Sequence, residues 1–528
     1  MIEKGHLRAF SKTLILLLLC VASLASAAAR IDKNMEDSKK QSDSAAGEEL
    51  PRPNIIFFMC DDLSYGDLSC FGQKKFNTPA IDSLAKDGMV FTHAYAGGPW
   101  CGPSRTSLLT GLRPDHWSIR RTDDTSYPTL GTLLQKAGYA TAAFGKWHMR
   151  DGAAKSQSLI SQRGFDRVLS AFNTPGLRGD HRFHFPPEMM SDGKIITIEK
   201  NAKAKLSKEY LWLYNQEGAR EKCFDEDGNF RDENGNTDLE YAEHIYREAA
   251  LEFMRRKHDK PFFIYYNPPS PHGPLNVKSL GRFKDLENRD RGWNLARKCW
   301  AGMIEELDKS MEMFLAELEK QGIADNTLVI FTSDNGFSSW GYSLGRTDKG
   351  FKRVAWLDDP FFKHKGIPAD RGKFINSNGG WQVPFVARWP KKMPAGESNR
   401  AISFYDMMAT FAELAGVEVE WPTDGKSIVP LLTGNAKKQP ARPSLFFPDK
   451  AASFTRWRDY EQDNPVDAVV LDEQYYAYSI VADAKTDNPT IRTFDLSVDP
   501  GCQKDLAKTH PELAVKLAKR ALHVFRSE

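Results

Sequence analysis

Four apolar runs, each cut off by a polar cluster, constrain this chain more than any other feature. Asn54 to Cys60 (NIIFFMC) ends in Asp61-Asp62. Thr141 to Phe144 ends in Gly145-Lys146-Trp147-His148, Phe262 to Tyr266 (FFIYY) runs into Asn267 and Ser270-Pro271-His272, and Leu328 to Thr332 (LVIFT) ends in Ser333-Asp334-Asn335-Gly336. Continuous apolar runs of this length read as strands covered on both faces, the environment of a parallel sheet. Val383 to Trp389 is a fifth candidate strand. Helical patterns lie between them: Trp300, Ile304, Leu307, Met311, Phe314 and Leu318 recur at steps of four and three. Further helices are expected over about 129–137, 239–256 and 404–414. Strands alternating with helices predict an α/β fold with a mainly parallel central sheet. Ligands of such sheets bind at the carboxyl ends of strands, so the four polar clusters are expected to meet in one cleft.

A chain of 528 residues exceeds the usual size of one hydrophobic core. We expect a large domain over 53–439 and a small C-terminal α+β subdomain over 440–528, with shorter strands and a closing helix from Pro511 to Phe525. Residues 178–236 are charged and irregular, with turn signals at Asp227-Gly228 and Asn234-Gly235, and are expected to form an insertion over the cleft mouth. At the N-terminus, Lys4, Arg8 and Lys12 precede the apolar stretch Leu14 to Leu24 and the small residues Ala25-Ser26-Ala27. This predicts a signal peptide over 1–27, followed by a polar, disordered tether over 28–52. The apolar stretch is short for a spanning helix, so the protein is expected to be exported, periplasmic or secreted, with no stable membrane anchor. No Asn-x-Ser/Thr sequon with x other than Pro occurs, which leans towards a bacterial source.

Lys+Arg number 72 and Asp+Glu 70, a formal net charge of +2. That balance argues against nucleic acid as a partner, and an anionic substrate has to be met by a local basic pocket. Beyond the signal the cysteines are Cys60, Cys70, Cys101, Cys223, Cys299 and Cys502, whose irregular spacing fits neither a disulfide scaffold nor a zinc site.

The decisive stretch is Cys101-Gly102-Pro103-Ser104-Arg105, continuing Thr106-Ser107-Leu108-Leu109-Thr110-Gly111. Pro103 suits the first turn of a helix, which puts Cys101 at its positive end. Arg105, four residues on, returns along the same face. Such a place suits an anion and a nucleophile, and a plain thiolate is one reading of it.

The stretch also resembles the signature of the type I, formylglycine-dependent sulfatases of the alkaline-phosphatase-like superfamily, C-x-P-S-R followed by T-G. The resemblance runs from Pro53 to about Leu506. Asp61-Asp62 with Tyr65-Gly66-Asp67, Asn77-Thr78-Pro79, Gly145-Lys146-Trp147-His148, Ser270-Pro271-His272, Ser333-Asp334-Asn335-Gly336, Gly372-Lys373, Thr493-Phe494-Asp495-Leu496 and Asp499-Pro500-Gly501 match its motifs in order.

The resemblance implies an alkaline-phosphatase-like sandwich and a sulfuric ester hydrolase. It implies that a formylglycine-generating maturation enzyme oxidises Cys101, and that the hydrate of formylglycine is the nucleophile. Asp61, Asp62, Asp334, Asn335 and the Cys101-derived oxygen then form an oxygen-only ligand set, which suits one Ca²⁺. A hard cation draws charge from sulfate oxygens that otherwise repel a nucleophile. Arg105, Lys146 and Lys373 add fixed positive charge. His272 is implied to protonate the leaving alcohol, and His148 to take a proton from the hydrate as sulfate is released.

Two positions depart from the family pattern after Lys373: Asn378 and Gln382 stand where many relatives carry Glu and Arg. Two other functions stay open on these residues, a phosphonate or phosphate monoester hydrolase of the same superfamily and a non-catalytic binder of sulfated glycans. Trp117, His181, Arg182, His184 and Trp212 are candidates to hold a sugar, which points towards a sulfated small molecule or saccharide as substrate.

Overall fold

The computed structural model describes residues 52–114, 116, 127–148, 163–171, 182–211, 213, 218–286, 293–336, 346–347, 350–351, 373, 378–442, 444–448, 466–472, 477–482, 490–499, 502 and 504–527. The expected signal peptide, the tether up to residue 51, Trp117, His181, Trp212, Gly372, Pro500 and Gly501 lie outside the described residues. No helix among those described is long and apolar enough to cross a membrane.

The chain builds a ten-stranded sheet from β1 (Asn54–Cys60), β2 (Met89–Phe91), β3 (Ala140–Gly145), β4 (Arg167–Ser170), β5 (Glu188–Ser191), β6 (Lys194–Thr197), β7 (Phe262–Asn267), β8 (Thr327–Ser333), β9 (Phe385–Arg388) and β10 (Gly396–Ser398). Their order across the sheet is β10-β2-β9-β8-β1-β7-β3-β4-β5-β6. The five central strands, β8 to β4, run parallel. All seven residues of β1 and of β8 are buried, as their unbroken apolar runs require.

Side chains alternate across β1 and so define two layers. Phe57 meets Phe404 and Phe411 edge-on at 6.2 and 6.1 Å on one face, and Phe411 belongs to a helix, Asp406–Ala415. Phe58 meets Tyr266 at 4.7 Å and Phe314 at 6.0 Å on the other. Phe314 sits on the 26-residue helix Leu295–Lys320, whose Trp300, Ile304, Leu307, Met311, Phe314 and Leu318 are all fully buried. These are the residues that the helical period singles out. A sheet covered by helices on both faces is the α/β sandwich expected.

The fifth expected strand is present as β9, which runs antiparallel to both β8 and β2 in the otherwise mainly parallel sheet. One expectation needs correcting. The region 178–236 is more than a cover over the cleft: it carries β5 and β6, which extend the main sheet, and it buries Phe185, Phe224 and Phe230 in the core. Towards the C-terminus, Ser444–Pro448, Val466–Asp472, Ala477–Ala482 and Thr490–Asp495 form an antiparallel four-stranded sheet, followed by the helix Pro511–Ser527. Leu445, Tyr478 and Phe494 of that sheet share a hydrophobic cluster with Tyr95, Trp381 and Tyr405.

Where β3 ends, the chain has no room for a side chain. Gly145 has φ +110°, and a Cβ there would stand 1.9 Å from the Asn267 carbonyl oxygen. The same oxygen accepts the Lys146 N–H at 2.7 Å. Gly145→Ala is therefore expected to cost on the order of 1–3 kcal/mol, since strained overpacking is relieved only by moving backbone. Urea denaturation checks this, and a wild-type midpoint for the variant would contradict it.

Candidate active site

The polar clusters converge because the strand ends are stitched together. Asp334 donates its N–H to the Cys60 carbonyl at 3.0 Å, and Asp61 donates to the Ser270 carbonyl at 3.1 Å. Asp61 and Asp62 leave β1 with Asp62 in the left-handed region, φ 67°. In Gly145-Lys146-Trp147-His148 the roles alternate: Trp147 is an anchor packed edge-on against Phe165 at 5.8 Å, while Lys146 and His148 belong to the cleft. The turn after β8 is as tight as the one after β3, with a Cβ on Gly336 falling 1.8 Å from the Gly379 oxygen. Cys101 begins the helix Cys101–Thr110, every residue of which is buried.

Charges of both signs are packed together here without water-exposed faces. Arg105 donates through Nε to Asp334 Oδ2 at 2.9 Å and through Nη1 to the Lys146 carbonyl at 2.8 Å, and its Nη2 forms an ion pair with the same Asp334 oxygen at 2.8 Å. Lys146 Nζ donates to Asp61 Oδ2. Lys373 Nζ and Asn335 Nδ2 both donate to Asp62 Oδ1, at 2.7 and 2.8 Å. Three carboxylates are thus matched by three cations, the condition for burying any of them.

The pairing shows in the proton affinities. Burial pushes Asp61 up, but Lys146, His272, Arg105 and Lys373 together outweigh it and hold the carboxyl well below the usual range. Burial, with Asp61 already ionised beside it, pushes Asp334 up against the pull of Arg105. Burial lowers His148 well below an ordinary histidine, helped by Lys146 and Arg105.

The donor set fits a hard cation. Asp61 Oδ1 and Asn335 Oδ1 are buried and accept no hydrogen bond. Ligand atoms of Asp61, Cys101 and Asp334 all lie within 4.8 Å of one another, and so do those of Asp61, Asp62 and His272. Buried acceptors converging without donors are what an oxygen-bound divalent ion would satisfy. Such an ion would also relieve the strain between Asp61 and Asp334.

Other expectations sort as follows. Cys60 has a structural part: its Sγ donates to the Thr332 carbonyl at 3.1 Å, and burial, followed by Asp334, pushes its thiol well up, so it stays protonated. Asn378 and Gln382 bond each other, Nδ2 to Oε1 at 3.0 Å, and Gln382 Nε2 donates to the Thr92 carbonyl. His184 is no surface for a sugar. It is buried, with Nε2 donating to the His272 carbonyl at 2.9 Å. Glu243, which accepts from Ser270 beside it, had no signal in the sequence, because its partners are remote in the chain.

His272 donates Nδ1 to the Gly273 carbonyl at 2.6 Å and leaves Nε2 facing Asp62 Oδ2 at 3.7 Å. Burial lowers it from 6.5 to about 4, against the pull of Asp61 and Asp62. A depressed folded pKa means that the unfolded chain takes up a proton which the native state refuses. Stability is therefore full above pH 6.5 and lost as pH falls towards about 4. In metal-free protein, His272→Gln is expected to flatten the loss of stability between pH 7 and 5 by about 1 kcal/mol per pH unit. Urea melts at stepped pH read this, and an unchanged slope would refute it.

Comparison with known proteins agrees with this geometry. The Sulfatase family model matches residues 53–417. An N-acetylgalactosamine-6-O-sulfatase of Bacteroides thetaiotaomicron is 27% identical over 92% of this chain and 94% of its own length. Human arylsulfatase A is 29% identical over 76% of this chain and 72% of its own. Among solved structures, Ps i-CgsB superposes with a TM-score of 0.60 at 25% identity, covering 89% of this chain and 92% of the other. That protein has also been crystallised in complex with k-i-k-neocarrahexaose. With the family model covering most of its length, and with the fold in agreement, this chain belongs to the sulfatase family, of alkaline-phosphatase-like fold, and is a sulfuric ester hydrolase.

Proposed function

We propose that this sulfatase acts on a sulfated carbohydrate outside the cytoplasm, with Cys101 converted to formylglycine and one Ca²⁺ in the site. The observation that carries this reading is the placing of Cys101 Sγ with Asp61 and Asp334 at the start of a wholly buried helix. Asp61, Asp62, Asp334, Asn335 and the oxygen that replaces Cys101 Sγ would hold the cation. The cation supplies charge withdrawal from the sulfate oxygens, and the formylglycine hydrate supplies the attacking hydroxyl. A maturation enzyme that generates formylglycine is the partner this requires.

The chain's own residues do the rest. Each cation now spends its charge on a carboxylate. With the carboxylates turned to a metal, Arg105, Lys146 and Lys373 have charge to offer the sulfuryl oxygens in a site closed to water. His272 turns its Nε2 towards Asp62 Oδ2 at 3.7 Å, beyond hydrogen-bond reach. An arriving sulfate anion favours its imidazolium, the form that protonates the leaving oxygen. His148, held neutral, is the base that takes a proton from the hydrate. Support for a carbohydrate substrate comes from the relatives, one named for N-acetylgalactosamine 6-O-sulfate and one bound to an oligosaccharide. The basic and apolar N-terminal segment supports export.

Two experiments test this reading. Stripping the converted protein with EDTA is expected to abolish turnover, and Ca²⁺ to restore it. Asp334→Ala is expected to lose both metal and activity, because it removes a charged ligand and strands Arg105. Full activity in metal-free protein sinks the calcium assignment. Peptide mass spectrometry of active protein from its native source is expected to find aldehyde at Cys101, and Cys101→Ala is expected to be folded and inactive. Wild-type turnover of a sulfate ester by Cys101→Ala eliminates the nucleophile.

A further inference from the structure

One buried carboxylate has no part in the site as described. Glu243 lies fully buried in the first turn of the helix Ala242–Arg255, beside Ser270. Its Oε1 accepts the Ser270 hydroxyl and faces His184 Nδ1 at 3.3 Å, while Oε2 has no hydrogen-bond partner. Two chains of contact leave this carboxylate. One runs through His184, whose Nε2 donates to the His272 carbonyl at 2.9 Å and whose ring stacks on Tyr241 at 6.1 Å. The other runs through Ser270, whose carbonyl accepts the Asp61 N–H at 3.1 Å. Phe183 adds a ring edge against His272 at 5.9 Å.

We infer that Glu243 is a positioning residue that sets two working groups at once: the His272 ring through His184, and the Asp61 ligand through Ser270. The roles of His272 and Asp61 are those of the reading above, on which this inference rests. The physical reason is economy of freedom. His272 is held within its own turn, its N–H donating to the Pro269 carbonyl at 2.9 Å and its Nδ1 to the Gly273 carbonyl at 2.6 Å, and the bond from His184 to its carbonyl ties that turn to a separate segment. A buried carboxylate that accepts the Ser270 hydroxyl and stands 3.3 Å from His184 Nδ1 ties that turn to a second segment more strongly than a neutral group would.

The two branches can be read separately. The converted holoenzyme and its Glu243→Gln, His184→Gln and Ser270→Ala variants are compared on an activated aryl sulfate, which leaves without an acid, and on a sugar sulfate, which needs one. Ca²⁺ affinity is titrated in parallel. General-acid assistance is worth about 10²- to 10⁴-fold, so partial misplacement of His272 in His184→Gln is expected to cost about 10- to 100-fold in kcat on the sugar sulfate. The same variant keeps its aryl sulfate turnover and Ca²⁺ affinity. Ser270→Ala is expected to weaken Ca²⁺ and to slow both substrates alike, and Glu243→Gln to show both defects. A variant that merely loosened the fold would slow both substrates and lower the melting temperature together. Equal losses on the two substrates for His184→Gln, or wild-type behaviour of Glu243→Gln, overturn the inference. His184→Gln leaves Glu243 and Ser270 in place, so its result stands even where Glu243→Gln does not fold. Wild-type turnover of the two sulfates reads the proposed function, whereas the ratios among variants read this inference.

Discussion

Everything in this molecule is arranged around the mutual neutralisation of charges that have been taken out of water. Asp61, Asp62 and Asp334 are buried, and each is held by Lys146, Lys373 or Arg105. Removing one member would leave its partner charged in a low-dielectric interior, which costs several kcal/mol. The pairs come from chain segments far apart in sequence, and only the parallel sheet brings them together. The hydrophobic layers on both faces of β1 therefore serve the ion cluster as much as they serve stability. They set the strand ends, and the strand ends set the charges.

The cluster also explains why so much of it could be read before the fold was known. β1, β7 and β8 are unbroken apolar runs, and a polar group directly after such a run has few places to go except the carboxyl edge of the sheet. The helix Leu295–Lys320 was equally legible, because its buried stripe repeats without interruption. Reading failed where the signal was not local. β6 was hidden because all four of its residues are exposed. Glu243 looked like any acidic residue in the first turn of a helix, and its meaning depends on Ser270 and His184.

The departures after Lys373 teach a related lesson. Asn378 and Gln382 lack the charges found at these places in many relatives, yet they sit one helical turn apart and bond each other. A hydrogen-bonded pair at this spacing needs a donor and an acceptor, not net charge.

The helix that begins at Cys101 is closed on all sides, and the cysteine itself is 4% exposed. A macromolecular catalyst acting on that side chain would need several residues of extended chain on either side, and the folded protein offers none. Folding therefore sets a deadline for any enzymatic chemistry at this position. The residue lies open to a macromolecule while the strand ends are still apart, and in the folded chain it is buried beside Asp61 and Asp334. On the proposed reading, a chain that folded before conversion would keep its cysteine, and two chains of identical sequence and shape would differ permanently in what they are able to do.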